Sequence, residues 1–269
     1  MLPVDGPGEI NELKTRHRRL GLAGVAVLAL GAIAWITGNL ALETLFVLAV
    51  APSLYIVWHF HHADKYKGEP LALLLGTFVL GGAFALMAAL IEWATLPTPE
   101  TAGTFTFIFF LFSVGLVIGV IEESAKFAAV RLFAYRSAQF DETMDGVIFG
   151  ITAAMGFAAV ENIWYVFNYG AAVALLRAFV SVPGHAFFGA IMGYYLGQAK
   201  LRHRPLLALW GLMIAVILHG LFDGLAHSAG VIGLIALPGL VWIVYFTIVK
   251  KEIANAQGES LYAPKQAAN

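Results

Sequence analysis

Four stretches of the chain set acids and imidazoles inside runs that otherwise carry almost no charge. "GVIEESAKFAAV" (119–130) holds Glu122, Glu123 and Lys126, and "GFAAVENIWY" (156–165) holds Glu161 and Asn162. "SVPGHAFFGAIMGYYLG" (181–197) holds His185, and "IAVILHGLFDGLAH" (214–227) holds His219 and Asp223. Carboxylates beside imidazoles activate water. In one arrangement histidines and a carboxylate hold a zinc ion while another glutamate takes the proton from its bound water. In the other, a glutamate and a histidine activate water without metal, and a second histidine or an amide stabilises the oxyanion. Both routes hydrolyse a peptide bond, and the residues alone leave the choice between them open.

Spacing adds detail. Glu122 and Lys126 are four residues apart, so they share a helix face and can pair, keeping Glu122 ionised. Glu123 is rotated by about 100° and faces elsewhere. Phe157 lies four residues before Glu161, on the same face. His219 and Asp223 are also four apart. A carboxylate on one ring nitrogen fixes the tautomer and raises the basicity of the other, which suits a metal ligand or a general base. His59, His61 and His62 fall at a helix end and are read as solvated, and Glu92 as interfacial.

These side chains must be positioned by membrane helices. The 269 residues are 60% hydrophobic and 12% charged, about half the charge of a soluble domain. Without cysteine, disulfides, thiolate metal sites and cysteine nucleophiles are excluded. A net charge of −1 argues against nucleic acid as a partner, and no nucleotide-binding motif is present. A membrane helix needs about 20 mostly apolar residues. Such runs fall at 20–38, 40–60, 71–93, 104–127, 145–167, 173–199, 206–226 and 231–250. The expected fold is all-α, a polytopic membrane bundle of about eight helices. The domain division is a segment over 1–19, one transmembrane domain over 20–250 and a tail over 251–269. The first run is read as a retained anchor and not a cleaved signal.

Lysine and arginine set the orientation. Lys14, Arg16, Arg18 and Arg19 precede the first run, and Lys65, Lys67, Arg131, Arg136, Lys200, Arg202, Arg204, Lys250, Lys251 and Lys265 follow even-numbered ones. Both termini are therefore expected in the cytoplasm, with Arg177 the exception to the pattern. Charges near the bilayer centre cost about 2.5–3.5 kcal/mol each, which marks the intramembrane set as functional. At their expected depths these residues scatter over roughly 15 Å along the normal. A kink at Pro183-Gly184 offers one way to bring them together. Gly189, Gly193 and Gly197 recur every four residues and predict a close helix contact.

In order, the motifs EExxK (Glu122, Glu123, Lys126), DG followed by FxxxEN (Asp145, Gly146, Phe157, Glu161, Asn162), His185 and HxxxD (His219, Asp223) resemble the PrsW family. "ADKYKGEPL" (63–71) is similar to the element preceding that family's core, and the resemblance spans about residues 60–225. It implies a bacterial inner-membrane, multi-pass endopeptidase, related to the CAAX prenyl endopeptidases and immunity proteins, with the bilayer as its environment. The substrate it implies is a membrane-anchored protein, as in a family member that cuts an anti-sigma factor during envelope-stress signalling. It makes Glu122 the water-activating base and Glu123 its neighbour. Glu161, His185 and His219 become catalytic residues or ligands of a divalent metal such as zinc, and Asp223 an orienting group. Lys126, Phe157 and Asn162 are supporting residues. The other readings are a proton- or cation-coupled transporter, since such side chains also carry protons, and a non-catalytic scaffold or immunity protein.

Overall fold

The computed structural model describes residues 42–96, 107–227 and 231–263, and every element among them is helical. In chain order these are α1 (Leu42–Ala63), α2 (Leu71–Thr95), α3 (Phe107–Leu132), α4 (Thr143–Tyr169), α5 (Ala171–Phe179), α6 (Ser181–Leu201), α7 (Leu206–His227), α8 (Val231–Val244) and α9 (Lys250–Gly258). A short 3-10 turn follows α3, and a π-helical segment, Tyr245–Val249, joins α8 to α9. Five segments are long and apolar enough to cross a membrane: Thr44–Ala63, Leu71–Thr95, Thr143–Tyr169, Ala171–Leu201 and Leu206–Ala226. The run expected at 20–38, its flanking basic residues and Lys265 lie outside the described residues.

α4 is the central post, with nearly all of its residues from Thr143 to Ala159 buried. Its first turn is closed by a reciprocal cap, in which the Asp145 carboxylate accepts from the Glu142 amide and the Glu142 carboxylate accepts from the Asp145 amide. Its last turn ends at Gly170, whose φ of 84° turns the chain straight into α5. Against one side of α4 lies α6, and the expected glycine contact forms there. A Cβ on Gly193 would stand 2.0 Å from the Gly146 carbonyl oxygen, and one on Gly150 would stand 2.2 Å from that of Gly189. A second close approach joins α3 to α7, where a Cβ on Gly119 would meet the Val216 carbonyl oxygen at 2.8 Å. Small residues let these backbones touch, as apolar helices in lipid require.

The helix break before His185 is displaced from its expected position. It falls at Val180 (φ −124°, ψ −65°), three residues before Pro183. Pro183 then sits in the first turn of α6, where its missing N–H costs nothing. The break lets α5 fold back beside α4 as a separate short helix.

One end of the bundle gathers the basic residues. Lys67 donates to Gln139 O at 2.6 Å and to Asp141 at 2.6 Å, and pairs with Asp145 at 3.0 Å. Lys200 donates to Tyr135 O at 2.6 Å. The segment after α9 docks on the same end. Gln198 donates to Glu259 at 2.6 Å, Tyr262 donates to Asp141 at 2.8 Å, and Ser260 donates to Glu142. Burial pushes the Glu142 carboxyl up to about 7, with nearby Asp145 and Asp64 adding to the effect against the Ser260 bond. Nearby, His61 pairs with Glu69 at 2.8 Å and His62 with Trp58 O at 2.8 Å, so two of the three clustered histidines have partners within the chain.

Candidate active site

α3 supplies the acidic side of the site. Glu122, Glu123 and Lys126 occupy adjacent turns and are all buried. The Lys126 ammonium has three protons and donates each to a different acceptor: Glu123 Oε1 at 2.7 Å, Glu122 Oε2 at 3.1 Å and His185 Nδ1 at 2.9 Å. Its charge also lies 4.5 Å from the centroid of the Phe157 ring, a favourable cation–π placement. A lysine at this depth is tolerable only because every proton is matched and two carboxylates balance it.

α7 supplies His219. Its Nδ1 donates to Glu123 Oε1 at 2.7 Å, while Nε2 stands 3.6 Å from both Glu122 Oε2 and Asp223 Oδ2. α6 supplies His185, whose ring meets that of His219 edge-on with centroids 5.1 Å apart. On its far side, His185 Nε2 stands 3.0 Å from Glu161 Oε2. Four helices thus bring together all six residues that the sequence singled out as reactive, along with Lys126 and Phe157 beside them. Asn162 lies one residue away from Glu161 and donates to Ala49 O on α1 at 3.2 Å.

The expected scatter in depth has a simple cause. α3 was expected to end at 127, near its first cluster of charges, but it runs on to Leu132. Ten residues of helix therefore follow Glu122, about 15 Å. Glu161 and His219 each lie eight residues before the end of their helix, at matching heights of about 12 Å.

Two residues were not picked out as site residues from the sequence. Arg177, on α5, pairs with Glu161 Oε2 at 3.0 Å, donates Nε to Asn162 Oδ1 and lies 4.0 Å from the Tyr165 ring centroid. It was visible as the one cation breaking the charge pattern. Glu92, expected at the interface, lies a turn beyond Ala88 on the face of α2 that packs against Ile121 and Phe157, and its Oε1 is enclosed.

Glu122, His185 and His219 each offer one ligand atom within 4.8 Å of the others, and they could hold a metal ion. Two imidazoles and a carboxylate are the donor set of hydrolytic zinc sites. The second ring nitrogens fit that use, since His219 rests on Glu123 and His185 faces Glu161. An ion there would take the place of the Lys126 bond to His185. The sequence had grouped Glu161 with the two histidines as possible ligands. The carboxylate that converges with them is Glu122, and Glu161 stands at the opposite nitrogen of His185.

A family model described as PrsW family intramembrane metalloprotease matches residues 69–249. The chain is 31% identical over 216 residues to Protease PrsW of Halalkalibacterium halodurans, covering 79% of this chain and 97% of that protein. It is 31% identical over 210 residues to Protease PrsW of Bacillus subtilis (strain 168), covering 77% and 94%. For Protease PrsW of Clostridioides difficile (strain 630) the figures are 31% over 188 residues, 66% and 77%. No solved structure matches the chain significantly.

Proposed function

The chain belongs to the PrsW family of intramembrane metalloproteases, and from this premise we propose that it cuts a membrane-anchored protein at the cluster around Glu122 and His219. It is a membrane protease. The observation that carries the site assignment is the pairing of Glu122 with a histidine whose far nitrogen is fixed by a second buried carboxylate.

Glu122 takes a proton from water as the oxygen attacks the peptide carbonyl carbon. His219 Nε2, standing 3.6 Å from Glu122, carries that proton to the leaving amine nitrogen as the C–N bond breaks. Glu123, bonded to Nδ1, stabilises the imidazolium formed in transit. Lys126 holds both glutamates in place and balances their charge. Asp223 steadies the outer side of the His219 ring, and Glu161 does the same for His185. In place of that relay, a divalent ion, zinc by its donor set, would be held by Glu122, His185 and His219 and would polarise the carbonyl and acidify its bound water.

The protein is a multi-pass resident of the bacterial inner membrane, with about eight spans and both termini in the cytoplasm. The gathering of Lys67, Arg131, Lys200 and Arg202 at one end of the bundle favours this orientation. Glu122 then lies about 15 Å from the cytoplasmic end of α3, and Glu161 and His219 about 12 Å from the external ends of their helices, and the substrate is a single-span protein, in the manner of an anti-sigma factor.

The test uses purified full-length protein with a panel of single-span substrates, with and without chelator. Wild type cleaves at least one, and Glu122→Gln and His219→Gln do not. Cleavage that survives both substitutions overturns the assignment. Ion flux in liposomes that depends on Glu161 would favour transport instead.

A further inference from the structure

We infer that α5 is the gate by which the substrate's membrane-spanning segment reaches the site, swinging outward on Gly170 and Val180 to open the mouth beside Glu161. The inference deepens the protease reading above and rests on it.

The reacting groups are closed in. Glu122, Glu123, His185 and His219 are each at most 6% exposed, whereas a substrate helix is about 10–12 Å across. Part of the wall must therefore move before a peptide bond can meet them. Of the six site residues Glu161 and Asp223 are the most exposed, with side chains at 23% and 15%, so the mouth lies on their side.

Most of the wall is locked. α4 lies main chain against main chain on α6, and α3 on α7. α2 is fixed to α4 in the same way, since a Cβ on Gly81 would stand 2.2 Å from the Ala153 carbonyl oxygen. α8 is held by Val241 and Val244, which belong to the main core.

α5 has none of these restraints. No described glycine brings its backbone against another helix. Its buried residue, Ala174, belongs to a small separate cluster with Ala49 of α1 and Val166 of α4, and such satellite packing opens more readily than a core. Arg177 ties α5 to α4, donating Nε to Asn162 Oδ1 and lying 4.0 Å from the Tyr165 ring centroid. Its Nη2 stands 3.0 Å from Glu161 Oε2, which places this helix at the mouth. Both ends are jointed: Gly170 has open space where a Cβ would stand, and Val180 leaves helical geometry. Leu175, Leu176 and Phe179 are exposed, so the outer face already suits lipid.

The chain has no cysteine, so introduced pairs stand alone. Full-length protein in lipid carries Ala49→Cys/Ala174→Cys or, separately, Val166→Cys/Ala174→Cys. Each pair is joined by reducible tethers of about 5 Å or about 20 Å, below and above the width of a helix. With a single-span substrate the short tether is expected to slow cleavage at least about 10-fold. The long tether, or reduction of the short one, should restore it. Cleavage undiminished by the short tether, or equal loss with both tethers, overturns the inference. If one pair does not fold, the other carries the same test. A second readout needs no cleavage: in Glu122→Gln carrying Ala174→Cys alone, substrate should speed alkylation of the buried thiol. If no form cleaves, the untethered protein included, but alkylation quickens, the gate stands and the protease reading falls. An alkylation rate that substrate leaves unchanged overturns the gate.

Discussion

His219 donates its Nδ1 hydrogen to Glu123 Oε1 across 2.7 Å, and that bond decides the chemistry of the other ring nitrogen. With Nδ1 committed, Nε2 of the neutral ring carries the lone pair, directed towards Glu122 and Asp223. The two adjacent glutamates therefore have different work. Glu122 faces Nε2 of the imidazole, and Glu123 holds the ring from the opposite nitrogen.

Glu122→Gln keeps the shape of the side chain and removes its basicity. We expect kcat to fall about 10²–10⁴-fold, the usual contribution of a general base, with KM little changed. Steady-state cleavage of a single-span substrate measures both.

Glu123→Gln should lower kcat by about 10–100-fold, as loss of an outer support does. Its larger signature is kinetic non-additivity. Combined with His219→Gln it should cost little more than His219→Gln alone, and independent effects would count against an action through the ring.

Lys126→Met leaves Glu122 and Glu123 buried without their shared cation. Removing one partner of a buried pair costs about 3–5 kcal/mol. The thermal midpoint should drop clearly, and Lys126→Met/Glu123→Leu should regain part of the loss. A Lys126→Met variant as stable as wild type would contradict this account of the cluster.

Much of the architecture could be read from residue patterns. Apolar runs located the helices because lipid demands length, and the four-residue spacing of Gly189, Gly193 and Gly197 announced a close helix contact, whose partner, α4, only the structure names. Depth could not be read the same way. Glu122 and Lys126 resemble the ordinary charged end of a helix until the continuation to Leu132 shows that they lie well inside it. Arg177 and Glu161 are sixteen residues apart in the chain. Only the turn at Gly170 and the break at Val180 bring them together, and neither fixes a direction in sequence.

Zinc uptake can be read without activity. Equilibrium dialysis of chelator-treated protein should return about one zinc per chain. His185→Gln and His219→Gln should lose it, and His61→Gln, on the far basic end, should not.

Glu142 predicts a pH dependence of stability. Burial raises its carboxyl to about 7 in the folded chain, so folding takes up a proton above the ordinary carboxylate range. The associated stability is complete at low pH and is lost as pH rises through about 7. Glu252, pushed up to about 8 by burial, acts in the same direction. The thermal midpoint should fall between roughly pH 5 and 8, and Glu142→Gln, which can still accept from Ser260, should flatten part of that fall. An unchanged slope would rule Glu142 out as its source.

The contact between α4 and α6 sets a tolerance for the pair Glu161 and His185. At Gly146, Gly150, Gly189 and Gly193 main chain lies against main chain, with no side chain between to compress or rearrange. The separation of Glu161 from His185 is thus gauged by the hard radii of backbone atoms, which hardly change with temperature or with the lipid around them. Two machined faces bolted without a gasket behave in this way. Changes in bilayer thickness should be absorbed by α1 on the periphery, leaving Glu161 and His185 at fixed spacing while the surrounding membrane varies.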